Sequence, residues 1–120
     1  MNINNSSLSN FDHSMVTTAF YIDGYKIDKN LGLVKGIIVR SRSIIGNIGA
    51  GIQILFGGNI TIYTQMCEKT RDEAYTLMCK HASDIGGNAI IAVQYDTNEI
   101  AQGISEVLCY GTAVVVSKVE

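Results

Sequence analysis

The sequence predicts an α+β fold: a small mixed or antiparallel sheet packed against one long helix plus a weaker glycine-rich helix, in the order β-β-α-α-β-β. Three observations predict it. Apolar residues recur at helical spacing from about Thr61 to Ile85, β-branched runs lie on both sides of that stretch, and Gly-Gly pairs punctuate the boundaries.

The elements follow in order. Residues 1–14 are Asn- and Ser-rich without periodicity and read as a flexible N-terminal extension to a single domain over 15–120. "MVTTAFYI" from Met15 to Ile22 reads as a strand, because β-branched and aromatic side chains favour a pleated surface, and Asp23-Gly24 reads as the turn of a hairpin. Its expected partner is Tyr25–Arg40, where Gly32 and Gly36 mark bulges or the close approach of another backbone. "SIIGNIGAGIQILF" from Ser43 to Phe56 carries no charge and has helix-compatible apolar spacing. Each interior glycine costs about 0.8–1 kcal/mol relative to alanine, so Gly46, Gly49 and Gly51 make it a weak helix that needs packing from elsewhere.

Thr61–Ile85 is the long amphipathic helix, with Ile62, Met66, Ala74, Leu77, Met78, His81 and Ile85 on one stripe. Lys69 with Glu73 and Lys80 with Asp84 place opposite charges one turn apart. Gly86-Gly87-Asn88 supplies the helix stop, Ala89–Thr97 a buried strand, 98–103 a polar loop, and Ser105–Val119 a last strand antiparallel to the one before.

The chain has 120 residues, 47% hydrophobic and only 17% charged, which suits one folded domain with apolar surface left for another subunit. A formal charge of −2 offers no excess of cations for counterion release, so nucleic acid is not an expected partner. The start has no basic region followed by an apolar one, and the uncharged stretch of 43–56 is shorter than the about 20 apolar residues of a membrane span. Cys67, Cys79 and Cys109 are odd in number and form no C-x-x-C pair, which points to reduced thiols and a cytoplasmic location.

"LGLVKG" from Leu31, "LFGGNITIY" from Leu55, "ASDIGGNAIIAVQYD" from Ala82 and "SEVLCYGTAVVV" from Ser105 occur in the order found in the YbjQ-like family, which the chain resembles from Met15 to Val116. Its members are small, uncharacterised bacterial proteins often labelled as heavy-metal-binding domains. The resemblance implies subunits assembling into a ring, with a homopentamer as the expected state. The chain departs from the family in "IIGNIGAGIQILF", where relatives resemble a charged amphipathic helix.

Thiolates and imidazole are the ligands that soft metals prefer, which makes Cys67, Cys79, Cys109 and His81 the metal candidates. Twelve residues along a helix rotate a side chain by about 120°, so Cys67 and Cys79 do not point at one ion and a site would have to be shared between subunits. Core packing is the default reading of Cys109 and the commoner one for His81, and His13 beside Asp12 reads as solvated. The "GNIGAG" run with Arg40 and Arg42 before it could offer backbone N–H groups to a phosphate, although close packing also accounts for Gly46, Gly49 and Gly51. Gly57, Gly58 and Tyr63 form the step most typical of the family and are candidates for a ligand pocket or a subunit seam. Asp96 and Glu99 read as an acidic rim or a solvated loop.

These features predict a non-catalytic, ring-forming binding protein that holds a small molecule or a metal ion between subunits. The rivals are a structural or adaptor assembly that displays surfaces to a protein partner, and an enzyme with an interfacial site. No catalytic residues are named.

Overall fold

The computed structural model describes residues 11–41 and 60–120, the side chains of residues 60–66 excepted. Within them, strand β1 (Tyr25–Ser41), helix α1 (Ile60–Asp84), strand β2 (Ala89–Ala101) and strand β3 (Ile104–Lys118) follow one another, after a single 3-10 turn at His13–Met15. The strands form one antiparallel sheet in the order β1-β3-β2, and α1 lies across one face of it. The weak helix expected over Ser43 to Phe56, the candidate glycines Gly46, Gly49, Gly51, Gly57 and Gly58, and the side chain of the candidate Tyr63 lie outside the described residues.

β1 pairs with β3 along its whole length, from Tyr25 opposite Lys118 to Ser41 opposite Ile104. Lys29-Asn30 does not break it. Register shifts on either side absorb the irregularity, and the Asn30 side chain accepts a hydrogen bond from the Gly32 N–H at 2.9 Å. Gly36 shows the close approach expected of it: a Cβ there would overlap the Ala74 carbonyl oxygen and lie 2.7 Å from the Met78 nitrogen. Strand and helix backbones therefore touch, which brings the inward side chains of both into one layer.

The first expected strand is corrected. Met15–Ile22 forms no hairpin with β1; it runs beside the far edge of the sheet, where Val16 makes a single parallel bridge to Ile90. The cause is a bulge in β2, where the register shifts between Ile91 and Gln94 and Ala92 takes φ +55°. Its turned N–H groups are met by the extension: Ala92 donates to the Ala19 carbonyl at 2.8 Å and Val93 to that of Thr17 at 3.0 Å. A bulged edge offers no regular ladder, so the β-branched run stays irregular. The Asp23-Gly24 turn does form, and it carries the chain over the end of β3, where Val119 donates to the Gly24 carbonyl at 2.8 Å.

The helix ends as its glycines predict. Gly86 at φ +92° donates to Ser83, and Gly87 donates to Ala82, the paired bonds of a Schellman stop. Asn88 then clips the start of β2 to β3, accepting from the Val116 N–H at 2.8 Å and donating to its carbonyl at 3.0 Å. The polar loop expected over 98–103 is a second correction: β2 continues to Ala101, and a tight turn containing Gly103 at φ +75° leads into β3. Polar Asn98 and Glu99 sit on a solvent-exposed part of that hairpin, where a strand needs no buried face.

Candidate functional site

The inner face of the sheet alternates with period two. Val34, Gly36, Ile38 and Arg40 of β1 face α1, as do Ser105, Val107, Cys109, Gly111 and Ala113 of β3. α1 answers with Ala74, Met78, Cys79 and Ala82, all buried. Towards the C-terminal end of α1 this layer is wholly apolar; towards Arg40 and Ser105 it becomes polar.

The sulfur-bearing side chains lie in the middle of the layer. Met78 and Cys109 are fully buried, with the Cys109 Sγ 3.7 Å from the Met78 Sδ, and Cys79 is buried beside them in the same cluster. Tyr75 lies near Cys79 and Tyr95 near Cys109. Burial pushes the Cys79 thiol up to about 11, and it pushes the Cys109 thiol up as well. Burial raises both flanking phenols in turn, Tyr95 to about 12. Burial thus disfavours the thiolate at both cysteines, so neither is activated as a nucleophile.

That has a consequence for stability. The unfolded chain releases the Cys79 proton near the ordinary thiol value of 9.0, whereas the fold retains it to about 11. Stability is thus full below pH 9 and falls as the pH rises from 9 to 11. The urea midpoint is expected to drop more between pH 8 and 10.5 in the wild type than in Cys79→Ala, and equal drops would contradict the assignment.

The other soft donors lie elsewhere. Cys67 is exposed and Cys79 buried, in keeping with their separation around the helix. His81 is exposed, which corrects its expected place on the apolar stripe, and Ile85 beyond it is 50% exposed. The His81 Nδ1 lies 2.6 Å from the Lys35 carbonyl, so the ring staples α1 to β1. His13 stacks on Tyr75 with its Nδ1 2.9 Å from the phenol oxygen, in place of the free solvation expected for it, and Phe11 packs against the core nearby. Every cysteine and histidine of the chain is among the described residues, and these bring together no three metal-ligating groups. Among the described residues the two buried thiols lie in the core, and each histidine has its Nδ1 in a structural contact.

A third feature is a cavity of about 230 Å³ at the polar end of the inner face, lined by Arg40, Cys67, Arg71, Thr97, Ser105 and Val107 among others. Arg40 is half-buried and pairs with Glu73, which takes the place of the expected Lys69 with Glu73 pair; Lys80 with Asp84 is present at 3.0 Å. Arg71 sits over the Tyr95 ring, 5.6 Å from its centre. Sequence reasoning attached Arg40 to the glycine run and did not single out Arg71, Thr97 or Ser105. The available signal was register: Arg40 pairs with Ser105, and Thr97 with Val107. Asp96 and Glu99 are exposed, and the Glu99 carboxylate accepts from the Gly103 N–H at 3.1 Å.

The opposite face of the sheet is covered at one end, where Met15, Ile22 and Tyr25 pack on Ala89, Ile91, Val114 and Val116, and open at the other. Leu33 is 67% exposed, Val39 49% and Ile37 39%, with half-buried Leu108 and Tyr110 beside them on β3. No helix among the described residues is long and apolar enough to cross a membrane.

Comparison with known proteins supplies the wider setting. The sequence profile of a YbjQ family, described as "Putative heavy-metal-binding", matches residues 14–117. UPF0145 proteins of Burkholderia thailandensis and Burkholderia mallei are 56% and 57% identical over 103 residues, which is 86% of this chain and 93% of theirs. A crystal structure of a DUF74-family protein of unknown function from Pediococcus pentosaceus shares the fold, with a TM-score of 0.53 at 20% identity, over 88% of this chain and all of that one. The sequence motifs, the helix-on-sheet fold and these matches agree: the chain belongs to the YbjQ-like, UPF0145 family.

Proposed function

We propose that the protein is a non-catalytic, self-assembling binding protein, its copies meeting through the open end of that sheet face and holding a ligand at or near the seam. The observation that carries this reading is the uncovered apolar strip of Leu33, Ile37 and Val39 on a chain with only 17% charged residues. A strip of that kind gains free energy when another copy removes it from water, and a second copy presents the same strip. The family resemblance supports closure of the assembly into a ring, with five subunits as its expected number.

Absence of catalysis is supported by the state of the side chains that would perform it. Burial disfavours the thiolate at Cys79 and Cys109, and each histidine spends its Nδ1 on a structural contact. A metal shared between subunits would draw on the exposed donors, Cys67 and His81, leaving Cys79 and Cys109 in the core. The adaptor reading is favoured by a different observation: Phe20 and Tyr21, adjacent at the turn before β1, are 75% and 62% exposed and form an aromatic tip suited to a protein partner. Sedimentation velocity across micromolar concentrations tests the main reading, which expects a species larger than the 13.0 kDa chain.

A further inference from the structure

The cavity at Arg40 and Arg71 presents two guanidinium groups in a chain that is acidic overall, with the Glu73 carboxylate paired to Arg40 and Asp72 near the Tyr95 ring. Two of the chain's three arginines line it, no carboxylate among the described residues does, and the formal charge of the whole chain is −2. The two guanidinium groups are held differently. Arg40 is neutralised by Glu73, and its Nη1 reaches the Val39 carbonyl, so it is a fixed wall. Arg71 forms no salt bridge among the described residues and rests on the Tyr95 ring. Stacking on an aromatic face restrains a guanidinium while leaving its in-plane N–H groups for an oxyanion, and a planar fork of donors matches carboxylate and phosphate geometry.

The remaining lining suits a small organic ligand. The Thr97 and Ser105 hydroxyls are polar, and Val107 and the Cys67 thiol are apolar or weakly polar. At about 230 Å³ the space falls below the ~300–1,000 Å³ of sites for drug-sized molecules, which excludes a nucleotide and admits a few carbons with one anionic group. We propose that this cavity binds a small organic anion, a short carboxylate or phosphate ester, with the Arg71 guanidinium as the recognising cation and Thr97 and Ser105 as further hydrogen-bonding groups. All of these residues belong to one subunit, so the site stands whether or not the sheet face assembles.

Cys67 provides a reporter. It lines the cavity one helical turn from Arg71, and it is exposed while the other two thiols are buried. Iodoacetate and iodoacetamide are close in size and differ in charge, so the ratio of their rates at Cys67, read by peptide mass mapping, reports attraction of an anion into the cavity. A change in thiol ionisation moves both rates together and cancels. The ratio is expected to fall about tenfold in Arg71→Gln, the size of effect that loss of one charged hydrogen-bond partner produces. Lys80→Gln, which removes a charge further along α1, is expected to leave it unchanged. In the wild type, millimolar inorganic phosphate or succinate should slow the iodoacetamide reaction saturably, and whichever protects more strongly tells phosphate from carboxylate.

The proposal would be overturned by a ratio indifferent to Arg71→Gln, by an equal fall in Lys80→Gln, or by a wild-type Cys67 that neither anion protects. A Cys67 that reacts with neither reagent would also overturn it, because the cavity would then be closed to ligands of this size. Arg71 is exposed, so circular dichroism of Arg71→Gln should match the wild type.

Discussion

Gly36→Val is expected to destabilise the fold by about 3 kcal/mol or more, lowering the Tm on the order of 10 °C at fixed protein concentration. The argument is steric. A Cβ at Gly36 meets backbone on two sides, the Ala74 carbonyl oxygen and the Met78 nitrogen, and the Leu77 Cβ stands 3.0 Å away. No rotamer change relieves a clash with backbone, so α1 has to move off β1. Gly32→Ala is the control: it lies at φ +99° with open space around it, and only its backbone conformation is strained. It should cost about 1 kcal/mol. A Gly36→Val protein that melts within 2 °C of the wild type by circular dichroism, roughly half a kcal/mol, would refute the close helix–strand contact.

Met78→Ala has the second largest expected effect. Met78 is fully buried between α1 and the sheet and touches the Cys109 sulfur, so truncation leaves a cavity that the neighbouring strands cannot fill. The expected loss is about 3 kcal/mol by urea unfolding, within the range for Met or Leu to Ala in cores. Met78→Leu keeps the volume and removes the sulfur. It should cost less than about 1.5 kcal/mol and leave any metal uptake as it was, because the sulfur acts as packing. Metal uptake that vanishes in Met78→Leu would instead make the buried sulfur cluster a binding centre.

How much of this was legible in the sequence follows from what each signal depends on. Local chemistry read well: Gly86 closes the helix, Gly32 falls at a register shift, Gly36 takes the close approach, and Lys80 pairs with Asp84. The helix stop and the Lys80–Asp84 pair need only a few neighbouring residues, and a glycine in a strand marks a bulge or close approach without naming its partner. Met15–Ile22 misled because its composition suits a strand while its partner is decided elsewhere, by the bulge at Ala92. His81 misled for a related reason. Helical spacing put it with Met78, but the edge of the helix–sheet contact passes between them, leaving His81 outside to meet the Lys35 carbonyl.

The cavity at Arg71 was the least legible feature. Its residues come from all four elements, and only the register of β3 between β1 and β2 brings Arg40, Ser105 and Thr97 to one end of the layer. The soft-metal donors show the converse. The residue types were plain, yet burial disfavours the thiolate at two cysteines and the fold turns the third away from them.

The central claim is that the open strip of Leu33, Ile37 and Val39 is covered by another copy of the chain. Light scattering on the wild type and on Ile37→Glu at micromolar concentration tests it most directly. A carboxylate in the middle of the strip leaves the helix-facing core untouched but makes burial of the face unfavourable. The wild type is expected at a multiple of 13.0 kDa and Ile37→Glu at 13.0 kDa with an unchanged circular dichroism spectrum. A wild type that stays at 13.0 kDa, or an assembly that Ile37→Glu leaves intact, would contradict it.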